Sequence, residues 1–507
     1  MTQERRIIKR GILFNYLYLG AGFVWVFLLT PVILRHLGSE EYGFWAILTS
    51  VVTYLTMFNF GLNTAVAKYA AEYMAKERRQ DLDALVSTTA VAMSILGGVT
   101  LLVCFVISPL VPRLFGLSDS LMSTGKIAFI ITALNVCVML LWGIFGNALY
   151  GLQRVDLWML LRTAHLLFCS ALIVVFLKLG WGLVGVVSAM TVSHVAMLVG
   201  FLTILSRRPY GVRCQYRLAS FGMLREIAPF SIRTFVLGLC NCLTNYKDYV
   251  LIGLLLGSAM VTPYEVIYKV CFQATYIFSA VSSTLFPKFA EMYAKGDCTR
   301  LRNAYMRLAK LSLAIMVPIS LCLLICGKTF IGLWVGPENF AGNGVLVALV
   351  VMGILHSIGT PTVSVIQSIG RNKLITRSEV VNAVLAVVLS VILLKQYGLV
   401  GVALGTLFAN LATSTWVLIY SVHKYIGVDV KQYLVRSLIP PMLAGIVTAA
   451  VIMILMSVWP LQPTMLGLIV YCLLIVLCYV VTYAFFFTSA GERKLYRGYL
   501  NIGVAQQ

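Results

Sequence analysis

Apolar residues come in long runs along the whole chain, separated by short polar breaks. Fourteen runs can be read, at 11–34, 43–67, 84–111, 125–150, 157–177, 181–205, 228–256, 264–286, 308–327, 344–369, 374–394, 398–421, 437–458 and 464–488. Each is long enough to cross about 30 Å of hydrocarbon as a helix. Within the runs polar and apolar residues do not alternate, as the roughly 10-residue strands of a membrane barrel would require. The pattern predicts an all-α integral membrane protein with about 14 transmembrane helices.

Composition narrows the function classes. Of 507 residues 60% are apolar and 11% charged, and the mean hydropathy is +0.93. A soluble fold of this size needs more polar surface, and a disordered chain fewer apolar residues. Fourteen spans of about 22 residues consume about 308 residues, nearly all of the apolar material. No soluble catalytic domain is left over, and the chain reads as a non-enzyme without a cofactor. The 12 cysteines fall in the spans or in expected cytoplasmic loops (Cys214, Cys298), without metal-ligand spacing.

Charge gives the topology. Lys and Arg number 39 against 18 Asp and Glu, for a net charge of +21. The odd-numbered gaps hold few cations: Arg35, Arg113, Lys126, Lys178, Lys328 and Lys395. The even-numbered gaps and the termini are rich in them, as in Arg5-Arg6, Lys76-Glu77-Arg78-Arg79, Arg207-Arg208 and Arg493-Lys494. The positive-inside rule puts these in the cytoplasm. Both termini are then cytoplasmic, in a multi-pass protein of the plasma (inner) membrane. Nucleic acid is not the expected partner, because the charges are scattered over short loops. Thr30-Pro31 is no cleavage site, so the first run is read as a span and not as a cleaved signal.

The sequence repeats internally. Ala71-Glu72-Tyr73-Met74-Ala75-Lys76 matches Ala290-Glu291-Met292-Tyr293-Ala294-Lys295, and Leu37-Gly38 matches Leu256-Gly257, both at an offset of 219. Leu177-Lys178 matches Leu394-Lys395 at 217, and Gly182-Leu183-Val184-Gly185-Val186 matches Gly398-Leu399-Val400-Gly401-Val402 at 216. The unit is six spans. Because six is even, the copies are parallel, related by an axis along the membrane normal. The expected organisation is a six-helix lobe at 1–205, a basic cytoplasmic linker at 206–226, a second six-helix lobe at 227–421, and two further helices with a cytoplasmic tail at 422–507.

Asn15, Thr30-Pro31, Leu37-Gly38, Tyr42-Gly43, Gly61, Lys68-Tyr69 and the Gly-Leu-Val-Gly-Val turns together resemble the polysaccharide transporter family of lipid-linked oligosaccharide flippases. That family lies within the multidrug/oligosaccharidyl-lipid/polysaccharide exporter superfamily. The resemblance implies two bundles around a cavity walled mainly by spans 1, 2, 7 and 8. It implies transfer of an undecaprenyl-pyrophosphate-linked oligosaccharide from the cytoplasmic to the outer leaflet for cell-surface polysaccharide, such as O-antigen or exopolysaccharide. The partners implied are the polyprenyl-pyrophosphate-linked glycan, membrane lipid, and the polymerase or glycosyltransferases of the same pathway, with the transporter itself a monomer.

Ionisable residues inside a membrane cost roughly 2.5–3.5 kcal/mol each on insertion scales. They concentrate in the second copy: Arg233, Lys247 and Asp248 on span 7, Glu265 and Lys269 on span 8. The repeat places Phe14, Leu28 and about Ile47 opposite the three cations. Charges serving architecture alone would recur in both copies. Arg233, Lys247 and Lys269 are therefore candidate contacts for a pyrophosphate, since Arg offers bidentate contact and Lys a point charge. Asp248 and Glu265 are candidate ion-coupling carboxylates. Asn15, Asn59 and Asn63 are candidate partners for sugar hydroxyls. The bland alternatives are neutralisation of other groups or a place in the outer headgroup zone for Lys247 and Asp248, mutual satisfaction of the i,i+4 pair Glu265 and Lys269, and interhelical hydrogen bonding for the asparagines. Arg162, His165 and His194 read as helix-packing groups.

Two rival functions stand beside the flippase. A cation-coupled multidrug exporter of the same superfamily would favour an acidic cavity. A membrane-embedded glycan polymerase or transferase would need large outer loops or clustered carboxylates, and neither is visible. Gly327-Lys328-Thr329 is not a phosphate loop, because Cys322 stands where its first glycine belongs. Energy would then come from an ion gradient or the membrane potential.

Overall fold

The computed structural model describes residues 3–207, 210–273, 275–460 and 462–488. Every regular element among them is a helix. The chain divides into two compact units, Met1–Glu265 and Val266–Gln507. The first contains α1 (Gln3–Val24), α2 (Thr30–Thr56), α3 (Leu62–Ala75), α4 (Arg79–Ile107), the short α5 (Val111–Leu114), α6 (Met122–Gly151), α7 (Val155–Lys178), α8 (Gly182–Ser206) and α9 (Phe221–Leu256). Helix α10 (Val261–Gln273) runs across the boundary. The second unit continues with α11 (Thr275–Ala294), α12 (Cys298–Val335), α13 (Asn343–Ser368), α14 (Asn372–Tyr397), α15 (Leu399–Asn410), α16 (Trp416–Ile426), the short α17 (Val430–Tyr433), α18 (Ile439–Val458) and α19 (Met465–Phe486). Among the described residues 11 helical stretches are long and apolar enough to cross a membrane, or 12 with the bent α9. The protein is thus a multi-pass membrane protein.

Each unit has its own apolar core. In the first, Val66, Leu85, Val86, Ile144, Phe145, Leu149 and Phe201 bring together α3, α4, α6 and α8. In the second, Leu301, Leu313, Val365, Ile366, Leu418 and Val422 join α12, α13 and α16. Many outward positions are as apolar as these cores. Leu466 and Phe486 on α19 are 73% and 79% exposed, a surface that suits acyl chains and not water. Hydroxyls within the helices bond back to their own turns. Ser50 donates to the Ile47 carbonyl and Thr89 to that of Leu85, each at 2.7 Å. Such local bonds let polar residues sit in a medium that supplies no partners.

Left-handed residues recur at the register of the sequence repeat. Gly38 (φ 72°) corresponds to Gly257 (89°), Glu77 (56°) to Gly296 (72°), Gln153 (62°) to Gly370 (75°), and Gly182 (51°) to Gly398 (58°). Side-chain pairs follow the same register. Lys76 bonds Glu72 at 2.7 Å, and Lys295 bonds Glu291 at 2.5 Å. The Arg154 guanidinium lies 5.7 Å from the Tyr210 ring, and that of Arg371 lies 4.9 Å from Tyr425. A left-handed residue with a Cβ costs about 1–2 kcal/mol. Gly296→Ala and Gly370→Ala are therefore expected to lower stability by about 1 kcal/mol each, and Glu77→Gly and Gln153→Gly to cost nothing. Thermal unfolding in detergent measures this. Equal losses from all four substitutions would contradict the register.

Packing and repeat divide the chain differently. Span 7 opens the second copy by register, yet α9 packs within the first unit, against α2, α3 and α4. Two glycines allow the approach. A Cβ on Gly43 would lie 1.9 Å from the Ser258 carbonyl oxygen, and one on Gly61 would lie 2.2 Å from that of Ser231.

Candidate functional site

The residues singled out by charge sit on α9 and α10, so the way α9 is held determines the site. Near its first turns Tyr73 of α3 donates to Glu226 at 3.1 Å. Burial, and then this bond, push the Tyr73 phenol up to about 12. The Lys68 ammonium lies 4.2 Å from the Tyr69 ring and 4.8 Å from Phe230 of α9. Phe235 of α9 packs on Phe60 with ring centroids 5.1 Å apart. Pro229 removes one backbone donor, and α9 bends by 44° between Phe221–Ile232 and Thr234–Leu256. Near the other end Thr262 donates to the Ser39 carbonyl at 2.5 Å, beside the Gly43–Ser258 approach.

Lys247 and Asp248, each 3% exposed, form an ion pair of 2.7 Å. The other Asp248 oxygen accepts from the Tyr264 hydroxyl of α10 at 2.6 Å. Tyr264 in turn packs edge-on to Tyr249, ring centroids 6.3 Å apart. Two charges inside the membrane thus neutralise each other and tie α9 to α10. Glu265 is also buried and has an interaction partner, as does Lys269, which is half-buried on α10. The Arg233 backbone lies on α9 between Ser231 and Thr234, and its side chain is outside the described residues.

The three asparagines are dispersed. Asn15 is half-buried on α1. Asn59 accepts from the Gly61 amide at 2.7 Å and shapes the turn between α2 and α3. Asn63 packs on α6, where a Cβ on Gly143 would lie 2.7 Å from its Nδ2. Its Oδ1 is buried without a hydrogen-bond donor. The structure therefore gathers Lys247 and Asp248 into one cluster and gives Asn59 a backbone role.

Several chemical partners were not evident from the sequence. Tyr264 meets Asp248 only because α10 folds back on α9. Arg162 of α7 donates to the Tyr18 hydroxyl of α1 at 2.9 Å, with its guanidinium 4.5 Å from that ring and 4.7 Å from Trp158. His165 and His194 bring their rings within 4.4 Å across α7 and α8. Outside the spans, the carboxylates of Glu72 and Glu291 are held below their ordinary range by their bonds to Lys76 and Lys295. Among the described residues no group of three or more His, Cys, Asp or Glu is placed to hold a metal, and all twelve cysteines are free.

Over 212 residues the chain is 25% identical to the probable low-salt glycan biosynthesis flippase Agl15 of Haloferax volcanii, covering 42% of this chain and 45% of that protein. Over 201 residues it is 24% identical to the lipopolysaccharide biosynthesis protein WzxC of Escherichia coli, covering 39% and 40%. The matched stretches thus span less than half the length of these relatives. A solved structure of the lipid II flippase MurJ, in an inward closed conformation, is similar with a TM-score of 0.74 over 94% of this chain and 98% of that one, at 14% identity. At that identity the likeness establishes the fold. The sequence profile of the family described as polysaccharide biosynthesis protein matches residues 8–293, more than half of the chain, and the chain belongs to that family.

Proposed function

We propose that the protein is a flippase that moves a polyprenyl-pyrophosphate-linked oligosaccharide, of the undecaprenyl type, from the cytoplasmic to the outer leaflet by alternating access. The observation that carries this reading is the charge asymmetry of the duplicated scaffold. Arg233, Lys247 and Lys269 stand on α9 and α10 where the first copy has, at the offset of 219, the uncharged Phe14, Leu28 and Ser50 (and not Ile47). The named activities of Agl15 and MurJ support the same class of substrate. Lys247 is paired with Asp248, which leaves Arg233 and Lys269 as the pyrophosphate candidates among the three cations. We assign the pyrophosphate contact to those two, and to Lys247 the task of holding α9 against α10. Asn15 and Asn63 are the sugar-facing candidates, since Asn59 is engaged by its own turn. Binding and reorientation need no covalent chemistry from the protein.

The finer architecture belongs to the same reading. A straight helix of 47 residues would be about 70 Å long, more than twice the hydrocarbon thickness. The continuous stretch Leu13–Asn59 instead turns at Gly38, and we count it as two spans. Counting α9 as one span and α10 with α11 as another gives fourteen. An even count puts both termini on one side, and the positive-inside rule makes that side the cytoplasm. The transporter acts as a monomer beside the polymerase or glycosyltransferases of its pathway.

Arg233→Ala and Lys269→Ala are each expected to reduce surface glycan export at least tenfold while leaving protein level and thermal stability unchanged. Export assayed in a null strain, with quantified membrane protein, checks this. Full export by the double variant would remove the pyrophosphate assignment.

A further inference from the structure

Arg162 is a cation inside an apolar span whose charge no neighbouring carboxylate balances. It stands on α7, within the stretch Val155–Lys178. Its guanidinium donates to the Tyr18 hydroxyl of α1 at 2.9 Å and lies 4.5 Å from that ring and 4.7 Å from Trp158. Among the described residues it forms no ion pair and meets no second acceptor. Two arginines nearer the helix ends of the same unit are treated differently. Arg154 is paired with Asp156 at 2.9 Å, and Arg78 with Asp81 at 2.6 Å. Asp156, the acid that α7 carries, is thus committed to Arg154.

The aromatic contacts do not complete the site. An arginine carries five N–H donors, and Tyr18 engages one. Cation–π attraction offsets part of the desolvation, but the rings take none of the donors that lie in the guanidinium plane. The Tyr18 hydroxyl accepts from Arg162, and its own proton meets no acceptor among the described residues. At a wet surface water would satisfy these groups, and hydrocarbon cannot. Helix packing alone is served by neutral partners, as where His165 and Ser193 meet across α7 and α8 at 3.2 Å.

Position indicates what supplies the acceptor. Arg162 follows Val155, the first residue of α7, by about 10 Å along the axis. Side chains lean toward the N-terminus of their helix, and the contact with Trp158, one turn earlier, is in that direction. The guanidinium therefore lies nearer the membrane boundary than its backbone, as snorkelling requires. Leu160, Leu167 and Phe168 on α7 are exposed and apolar, a surface suited to acyl chains. A phosphodiester brings one negative charge and free acceptor oxygens to a guanidinium edge and a hydroxyl. In a zwitterionic phospholipid the headgroup ammonium competes for that charge, whereas in an anionic one nothing does.

We propose that Arg162 and Tyr18 bind the phosphate of an anionic phospholipid in the seam between α7 and α1. The lipid is a resident of the first unit and not the cargo. Its binding does not depend on the flippase reading, and the orientation proposed above makes its leaflet the cytoplasmic one.

The test uses delipidated full-length protein in a neutral detergent with no glycan lipid present. Unfolding temperature is followed against phosphatidylglycerol, against phosphatidylcholine with the same acyl chains, and against undecaprenyl pyrophosphate, all at constant ionic strength. Phosphatidylglycerol is expected to give a saturable upward shift, with half-saturation at least tenfold below that of phosphatidylcholine. Arg162→Gln raises the half-saturating concentration at least tenfold, and Tyr18→Phe raises it less. Lys178→Gln, which removes an exposed cation at the other end of α7, retains the response. Arg162→Lys keeps the charge without the planar fork, gives a smaller rise, and covers the case in which Arg162→Gln does not fold. Equal responses to the two phospholipids, or Arg162 variants that titrate like the wild type, overturn the site. An Arg162-dependent shift from undecaprenyl pyrophosphate, with none from phosphatidylglycerol, gives the phosphate to the carrier lipid and overturns the resident one. Failure of glycan flipping with the phospholipid response intact counts against the flippase reading alone.

Discussion

Lys247→Met is expected to destabilise the protein by about 3–5 kcal/mol, because it leaves the Asp248 carboxylate buried without its ammonium. Asp248→Asn should cost a similar amount by stranding Lys247. The double variant Lys247→Met/Asp248→Asn should lose much less than the two single losses combined, since the amide still accepts from Tyr264 and no buried charge remains. Thermal unfolding of the four proteins in detergent completes the cycle. The exposed pair Lys295–Glu291, 69% and 61% exposed, is the control and should give no resolvable shift when Glu291 becomes Gln. Export by the double variant then separates two roles. If Lys247 acts by holding α9 to α10, the refolded double variant exports glycan. If its ammonium meets the pyrophosphate, the double variant is stable and inactive. Additive losses in the cycle would mean that the pair is not the structural unit described.

Much of the scaffold was legible in the sequence, for reasons that differ from element to element. Helices such as α4, α8 and α19 need about twenty apolar residues, and nothing else in a chain writes that signal. The sequence repeat was legible because Lys76 and Lys295, with their glutamates four residues earlier, share both identity and spacing. Other features lie below what a linear reading shows. Glu77 and Gln153 occupy left-handed positions held by glycine in the second copy, so only the backbone identifies them. The register assigned span 7 to the second copy, whereas α9 packs with the first unit through Gly43 and Gly61, a consequence of close approach that hydropathy does not encode.

The candidate residues were legible as charge and not as geometry. Lys247 and Asp248 are sequence neighbours, and adjacent residues on a helix do not face each other along its axis. Their pairing depends on the cluster closed by Tyr264 from the next helix.

Flipping by the purified protein tests the central claim most directly. In proteoliposomes carrying a fluorescent undecaprenyl-pyrophosphate oligosaccharide, a membrane-impermeant quencher reports how much label each leaflet holds. The account predicts that the wild type exchanges label between leaflets at least tenfold faster than empty liposomes when an ion gradient is imposed, and that Arg233→Ala/Lys269→Ala does not. Label retained in its original leaflet by correctly folded wild type, under Na⁺, proton and potential gradients alike, would contradict it.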